Sequence, residues 1–269
     1  MMSMYEIGKT AVLRWLPDAL LKRLKRRHYL RKVDNVRISD EPDLAIVGHL
    51  VSPGDCVVDI GANIGIYTVY LSRAVTTSGR VFSFEPVPTT FDFLVNNIRG
   101  LGLENVVARQ VAITDQRCMI QMVIPRDDQG LQNFYQAAVI SERAEKNGSA
   151  VVDVDGLPLD LALPGSDIGN VKFIKCDIEG HELRCLEGAI NVVARSRPAW
   201  LMEVSGDPGK SGSNAGKVFA LMRENGYEVW VYREERLVPW NSDLRSVNYW
   251  FLTGDHVRQL VRRMAAANQ

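Results

Sequence analysis

The sequence has few of the features that mark a secreted or membrane-spanning protein. It has four cysteines in 269 residues, and none of them forms a C-x-x-C pair. Zinc clusters and disulfide frameworks need cysteines at regular spacings, so reduced thiols are expected. No apolar run approaches the ~20 residues of a membrane span, and the first residues lack the apolar core and cleavage site of a signal peptide. These absences predict a cytoplasmic protein.

The sequence also lacks an excess of either charge. Lys plus Arg and Asp plus Glu number 32 each, so no overall field attracts nucleic acid, and no nucleic-acid partner is predicted. The local exception is residues 15–32, where seven basic residues follow Trp15 and several leucines. This segment is typical of a solvated basic helix that packs its leucines on a domain. It also suits peripheral contact with an anionic membrane at the inner face.

Short β-type runs alternate with helical patterns from about residue 56 onward. Several of the β-type runs are apolar on both faces, as buried parallel strands are. The alternation predicts a doubly wound α/β sheet with right-handed crossovers. The predicted strands are 56–60, 80–85, 105–113, 171–177, 199–204, 228–233 and 246–252, and the predicted helices are 64–75, 89–100, 183–194 and 213–225.

Three regions are expected from this pattern. Residues 1–40 form an N-terminal basic helical extension, and residues 41–269 form the α/β domain. Polar turns break the strand and helix rhythm around 117–163, which is interpreted as an insertion on the substrate side. The last predicted strand, 246–252, is expected to form an antiparallel hairpin at the edge of the sheet.

The segment VVDIGANIG (57–65) follows the first predicted strand. Gly61 and Gly65 permit positive φ and a close approach of backbone to a ligand, and the helix that begins near Ile64 offers unpaired N–H groups. A dinucleotide-binding loop has one more glycine, as in G-x-G-x-x-G. The carboxylate of Asp59, just before the turn, suits an amino-acid moiety better than a phosphate.

Glu85 ends the next predicted strand and lies 20 residues beyond Gly65. Nucleoside-binding α/β sheets place a carboxylate at this position, where it accepts hydrogen bonds from the ribose hydroxyls. The carboxyl edge of such a sheet is also where ligands bind. The glycine loop and Glu85 together predict a nucleoside cofactor.

Three segments carry a resemblance to a known family: VVDIGANIG at 57–65, FSFEP at 82–86 and FIKCDIEGHELRCLEGA at 173–189. They resemble the FkbM-type methyltransferases, which transfer a methyl group from S-adenosylmethionine to hydroxyls of sugars, glycolipids or polyketides. The resemblance implies a class I, Rossmann-like fold with a seven-stranded, mostly parallel sheet and helices on both faces. It also implies S-adenosylmethionine as cofactor and a small-molecule, glycan or glycolipid acceptor.

The resemblance also assigns roles to single residues. It implies that Asp59, Gly61, Asn63 and Gly65 hold the methionine portion of the cofactor and that Glu85 holds the ribose. In VAITD (111–115), which resembles an A-x-x-D segment of the family, it places Ala112, Ile113 and Asp115 near the adenine. Asp177 is expected to orient the acceptor hydroxyl or to bind the amino group of the cofactor.

Methyl transfer to a hydroxyl requires alignment of the two reactants and a base that accepts the hydroxyl proton. The candidates follow the fourth strand of the parallel sheet: Asp177, Glu179, His181 and Glu182. The ordinary pKa of histidine lies nearest to neutral pH, so His181 is the first choice for the base. Asp177, Glu179 and Glu203 have the chemistry of a magnesium or calcium site, but their spacing is irregular and no metal is predicted.

Three other functions stay open at this point. An NAD(P)-dependent oxidoreductase needs a closer match to G-x-G-x-x-G and a Tyr-x-x-x-Lys pair within the domain, whereas Tyr5 and Lys9 precede the cofactor loop. A noncatalytic nucleoside-binding module would keep the same fold. A nucleic-acid methyltransferase would have an N-P-P-Y type motif to stack a flipped base, which this sequence lacks. The sequence does not indicate the oligomeric state.

Overall fold

The computed structural model describes residues 18–125, 138–139 and 150–267. The helices are α1 (Asp18–Asp34), α2 (Leu44–Leu50), α3 (Ile66–Val75), α4 (Pro88–Gly100), α5 (Leu159–Ala162), α6 (Glu182–Glu187), α7 (Ile190–Ser196), α8 (Asn214–Glu224) and α9 (Gly254–Ala267). The strands are β1 (Cys56–Ile60), β2 (Arg80–Phe84), β3 (Val106–Arg109), β4 (Ala112–Ile113), β5 (Cys118–Ile124), β6 (Ala138–Val139), β7 (Ala150–Leu157), β8 (Val171–Cys176), β9 (Ala199–Glu203), β10 (Glu228–Arg233), β11 (Arg236–Pro239) and β12 (Asn248–Leu252).

The main sheet has the strand order β11-β10-β12-β9-β8-β1-β2-β3 in the described part of the chain. The pairs from β9 through β8, β1 and β2 to β3 are all parallel, whereas β12 is antiparallel to both β9 and β10. The predicted doubly wound, mostly parallel α/β sheet is therefore confirmed. The predicted number of seven strands is wrong, because the short strand β11 adds an eighth at one edge.

The predicted position of the last strand is also wrong. Residues 246–252 were expected at the sheet edge, but β12 lies between β9 and β10. Its residues Trp250, Phe251 and Leu252 are completely buried. Strands that are covered on both faces belong in the interior of a sheet, and the apolar run of β12 fits that position.

Helices cover both faces of the main sheet. The side chains of β1 alternate between the faces, so that Val57 packs with α2, α3 and α9 while Val58 packs with α5 to α8. On the α8 side, the ring of Phe219 meets Tyr249 and Phe251 edge-to-face with ring centroids 5.0 and 5.3 Å apart. The carboxyl ends of the parallel strands stay uncovered by these helices, and this edge holds the candidate site.

A second, four-stranded sheet has the order β4-β7-β5-β6. Its strands β5, β6 and β7 belong to the region 117–163, which the sequence predicted to be an insertion, and residues 126–137 and 140–149 of that region lie outside the described residues. The predicted strand 105–113 ends early, since its last part is β4 and pairs with β7 in this sheet. The predicted helix 183–194 is likewise divided into α6 and α7 around Gly188.

The N-terminal segment is fixed to the main sheet. Asp43 is buried, and its two carboxylate oxygens accept hydrogen bonds from the indole nitrogen of Trp250 at 2.6 Å and the side-chain amide of Asn248 at 2.9 Å. Helix α1 packs against α4, and Lys22 pairs with Asp92 at 2.6 Å.

None of the described helices is long and apolar enough to cross a membrane. The predicted membrane contact of residues 15–32 stays a prediction, and residues 15–17 lie outside the described range.

Candidate active site

The turn after β1 brings the backbone of two strands into unusually close contact. Gly61 has φ +75°, and a Cβ on it would lie only 1.8 Å from the carbonyl oxygen of Asp177, at the end of β8. The amides of Gly61 and Ala62 both donate to the carbonyl of Phe84, at 2.9 and 3.0 Å. Only glycine fits this position, because any side chain would separate β1 from β8.

Glu85 holds the other side of this turn. Its carboxylate accepts one hydrogen bond from the amide of Asn63 and one from the amide of Val87, both at 2.9 Å. Burial raises the pKa of Glu85 to about 7, although the two amides act in the opposite direction. A carboxylate has about four lone-pair sites, so two remain for other donors. Glu85 thus both shapes the loop and presents acceptor sites to a ligand.

Asp59 is buried one strand position before the turn. The hydroxyl of Thr68 donates to its carboxylate at 2.6 Å and lies 2.9 Å from the hydroxyl of Ser83. Burial raises the pKa of Asp59 to about 6, and the bond from Thr68 lowers it in part. Across the sheet, Asp59 is the register partner of Lys175 in β8.

The first cavity, of about 250 Å³, lies at the carboxyl ends of β1 and β2. Its walls combine apolar side chains with the carboxyl groups at the strand ends. Most of the predicted site residues line it: Gly61, Asn63, Glu85, Ala112, Ile113, Asp177, Glu179 and His181, together with Ile60, Phe84, Pro86, Val87, Val111, Met122, Val139, Ile178 and Glu203. An apolar pocket with a few convergent polar groups is the usual form of a small-molecule site.

The second cavity, of about 270 Å³, lies on the other side of the same turn and shares four wall residues with the first, Gly61, Asn63, Asp177 and Glu203. The structure places Asp59 in its wall rather than in that of the first cavity. Its other residues are Lys32, Glu41, Ala62, Ile64, Ile66, Tyr67, Lys175 and Asn248. Of the predicted site residues, Gly65 and Asp115 line neither cavity.

Three carboxylates meet where the two cavities join. Asp177, Glu179 and Glu203 each offer an oxygen atom, and these atoms lie within 4.8 Å of one another. Burial, and then the charge of Asp177, raises the pKa of both glutamates. The ammonium of Lys175 is 3.7 Å from Asp177 and offsets part of the negative charge. This spacing suits a divalent cation and equally the positively charged centre of an organic ligand.

His181 lies at the far wall of the first cavity. Its Nε2 is 2.9 Å from the hydroxyl of Thr114, and that hydroxyl donates its proton to Asp115 at 3.0 Å. Because a hydroxyl has one proton, Nε2 must carry the hydrogen, and Nδ1 is the nitrogen that can accept a proton. Burial lowers the pKa of His181, so the ring is neutral at neutral pH. Asp115 in turn pairs with Arg184 at 2.6 Å instead of facing the cavity.

Sequence reasoning missed several residues of the second cavity. Glu41, Tyr67 and Asn248 belong to no recognised motif and lie far apart along the chain. The bond between Asp43 and Asn248 brings two of these segments together. The basic segment 15–32 was the one part of this cavity that stood out in the sequence, since its last residue, Lys32, lines the cavity.

Comparison with known proteins gives consistent similarities. A family model described as "Methyltransferase FkbM domain" matches residues 59–229. The chain is 27% identical over 140 residues to "Hexuronic acid methyltransferase AglP" of Haloferax volcanii, covering 52% of each chain. It is 25% identical over 203 residues to "31-O-demethyl-FK506 methyltransferase FkbM" of Streptomyces tacrolimicus, covering 66% of this chain and 74% of that protein.

Other matches are partial. The chain spans about half the length of most of the curated relatives it matches. Among solved structures, it is similar to a methyltransferase FkbM from Methylobacillus flagellatus KT at 17% identity, covering 74% of this chain and 44% of that one, with a TM-score of 0.46.

Proposed function

Because the chain belongs to the FkbM methyltransferase family, we propose that it transfers a methyl group from S-adenosylmethionine to a hydroxyl oxygen of a sugar, glycolipid or polyketide-like metabolite. The observation that carries the proposal is the first cavity, which brings the glycine turn, Glu85 and Asp177 together at one sheet edge. The relatives support the acceptor class, since one is named for a hexuronic acid and another for the 31-O position of FK506.

The residues of the first cavity fit the parts of the proposed cofactor. Val111, Ala112 and Ile113 offer an apolar wall for a flat base, and Glu85 keeps two lone-pair sites for ribose hydroxyls. Asp177 lies where the first cavity meets the second, which suits the positive charge of a sulfonium or ammonium group. When bound, S-adenosylmethionine would supply a methyl group for in-line transfer from its sulfonium sulfur to an oxygen nucleophile, and S-adenosylhomocysteine would be the leaving group.

The protein's own part in the reaction is alignment, exclusion of water and acceptance of one proton. We assign Asp177 and Glu179 to orient the acceptor hydroxyl, because Asp177 lines both cavities and a carboxylate oxygen of Glu179 lies within 4.8 Å of one of Asp177. We assign His181 as the base, because its Nδ1 can take the hydroxyl proton and its lowered pKa keeps it neutral beforehand. Thr114 is then a positioning residue that fixes the tautomer.

The family membership favours methyl transfer over the NAD(P)-dependent oxidoreductase and the noncatalytic module. The turn supports the same choice, because Asn63 replaces the second glycine of G-x-G-x-x-G. A pyrophosphate needs close approach of backbone at that position. Here the amide of Asn63 is already bonded to a carboxylate.

The cofactor assignment is tested by calorimetric titration with S-adenosylmethionine, S-adenosylhomocysteine and NAD. We expect the first two to bind the wild type and to bind Glu85→Ala at least about tenfold more weakly, which corresponds to about 1.4 kcal/mol. Glu104→Ala is the matched control, because Glu104 is an exposed glutamate in the turn after α4. Binding of NAD alone, or of none of the three ligands, would overturn the proposal.

A further inference from the structure

The helix α1 carries a concentration of positive charge that the proposed function does not use. Its 17 residues include seven lysines and arginines but only two acidic residues, Asp18 and Asp34, whereas the whole chain has 32 residues of each sign. The rest of the chain therefore has an excess of acidic residues, and the positive charge is confined to a local patch. A patch of this kind attracts an anionic surface.

One face of α1 fixes the helix to the domain. Lys22, Tyr29 and Val33 are seven and four residues apart, which places them on the same side of a helix. Val33 is completely buried, and the ring of Tyr29 meets that of Phe93 edge-to-face with centroids 4.8 Å apart. Lys22 forms the ion pair with Asp92. The helix is thus held in place and presents its opposite face to solvent.

This outer face combines leucines with arginines. Leu20, Leu24, Arg27 and Arg31 follow one another at intervals of four, three and four residues, so they form a single stripe along the helix. Leu20 is 42% and Leu24 is 46% exposed, and both arginines are exposed. Nearly half of the surface of each leucine therefore faces solvent, next to positive charge.

A groove beside the stripe is lined by further cations. It has a volume of about 600 Å³ and lies between α1 and Asn96 of α4, with Lys22, Arg23, Arg26 and Arg27 in its wall. None of its described lining residues is acidic. Arg23 and Arg27 form no ion pair with any residue that the structure describes. Their guanidinium groups can therefore bind phosphate oxygens, for which arginine has a matching geometry.

We propose that α1 docks on an anionic phospholipid bilayer. Arg23, Arg27 and Arg31 bind the phosphates of the headgroups, and Leu20 and Leu24 enter the interface beside them. Because less than half of each leucine is exposed, the helix adsorbs at the level of the headgroups and does not insert deeply. The inference does not rest on the proposed function, since it concerns the surface to which the protein binds and not the group that it transfers.

Nucleic acid is the competing anionic partner. Its backbone offers phosphates but no apolar layer that Leu20 and Leu24 can enter. Proteins that bind single strands also stack aromatic side chains on the bases, whereas the ring of Tyr29 packs against Phe93. The combination of positive charge with exposed leucines therefore favours a bilayer.

Docking through α1 also brings the candidate site close to the membrane. Arg31 belongs to the exposed stripe, and the next residue, Lys32, lines the second cavity. The last turn of α1 therefore connects the docking surface with the wall of the candidate site.

The experiment measures co-sedimentation of the full chain with vesicles of phosphatidylcholine alone and of phosphatidylcholine with about 30% phosphatidylglycerol. We expect binding only to the anionic vesicles, and weaker binding as the salt concentration rises from about 0.05 M to about 0.5 M. Arg23→Gln/Arg27→Gln is expected to weaken binding about thirtyfold, which corresponds to about 2 kcal/mol, or about 1 kcal/mol for each arginine. The matched control Arg195→Gln/Arg262→Gln removes two exposed arginines from α7 and α9 and should leave binding unchanged.

A second pair of variants tests the leucines. Leu20→Gln/Leu24→Gln is expected to weaken vesicle binding about tenfold, and by the same factor at low and high salt, because salt does not screen the burial of apolar surface. Val261→Gln is the matched control, since Val261 is 64% exposed on α9. Glutamine is a good helix former, so all variants should keep the Tm of the wild type within a few degrees.

The outcomes separate this inference from its alternatives. Failure of the wild type to bind the anionic vesicles overturns it, and so does vesicle binding that either α1 double variant leaves unchanged. Binding of a DNA or RNA duplex that depends on Arg23 and Arg27 but not on the leucines, without binding of vesicles, also overturns it and assigns α1 to nucleic acid. No arm of the experiment uses S-adenosylmethionine, so the proposed function can fail or hold independently.

Discussion

Replacement of Gly61 by alanine tests how closely β1 and β8 must approach for the site to form. The new Cβ would lie 1.8 Å from the carbonyl oxygen and 2.9 Å from the carbonyl carbon of Asp177, whereas non-bonded heavy atoms prefer about 3.5–4.0 Å. The backbone at φ +75° adds strain of roughly 1–2 kcal/mol for any L-residue. Overpacking typically costs about 1–3 kcal/mol, so we expect a total loss of about 2–5 kcal/mol.

Three other glycines separate the two contributions. Gly102 has φ +63°, and a Cβ on it would have no neighbouring atom within 4 Å, so its replacement by alanine measures strain alone. Gly188 has φ −89°, and its Cβ would lie 1.9 Å from the carbonyl oxygen of Thr114, so its replacement measures the clash alone. Gly165 has neither feature and serves as the reference.

The assay is thermal unfolding of the four variants, followed by titration with S-adenosylhomocysteine. For a domain of this size, 1 kcal/mol corresponds to about 2–4 °C in Tm. We expect almost no change for Gly165→Ala, a decrease of about 2–8 °C for Gly102→Ala and the largest decrease for Gly61→Ala. Only Gly61→Ala should also weaken ligand binding, because it displaces Asp177. Equal Tm values for Gly61→Ala and Gly102→Ala would refute the argument from the clash.

Two further predictions concern buried carboxyl groups. Asp43→Ala leaves the buried indole N–H of Trp250 without its acceptor and should lower the free energy of unfolding, measured in urea, by about 2–4 kcal/mol. Asp34→Ala is the control, because it removes only a surface ion pair and should lower the free energy of unfolding by less than about 1 kcal/mol. The pKa values of Glu85 and Glu182 are each raised from 4.5 to about 7 by burial, so their contribution to stability is complete below pH 4.5 and is lost as the pH rises through 7. Each pKa shift corresponds to at most about 3 kcal/mol of stability. Glu182→Gln keeps an acceptor for the amide of Gly180 but no longer titrates, so it should make the pH dependence of urea unfolding shallower. An unfolding midpoint that rises from pH 5 to pH 8, or an Asp43→Ala variant as stable as Asp34→Ala, would contradict these expectations.

The local pattern of the sequence predicted most of the parallel strands. The run 56–60 is buried at every position, and a continuous apolar run of that length is typical of a strand covered on both faces. The same pattern does not specify which strands become neighbours. Residues 246–252 were recognised as a strand, but their place between β9 and β10 depends on long-range packing of Trp250. The short strand Arg236–Pro239 was missed, since it is only partly buried and ends in proline.

The predictions for the site follow the same division: residues in local motifs were identified, whereas residues placed by tertiary packing were not. Gly61 and Glu85 were identified because a turn and a strand end give them fixed positions in any nucleoside-binding sheet. Glu41 could not be identified, because its place in the second cavity depends on the segment around it docking on β12. Asp115 illustrates the opposite case, since its position in a motif suggested a ligand contact and its side chain turns instead to Arg184.

The position of β12 also has a consequence for how the protein is made. The ribosome completes β9, β10 and β11 before it synthesises β12, yet β9 and β10 are joined in the sheet only through that last strand. Until Trp250 and its neighbours emerge, the nascent chain has two unpaired strand edges and an open apolar core, the condition in which chains aggregate or recruit chaperones. The main sheet can therefore close only after translation has passed Leu252, and the second cavity, whose wall includes Asn248, is complete only then.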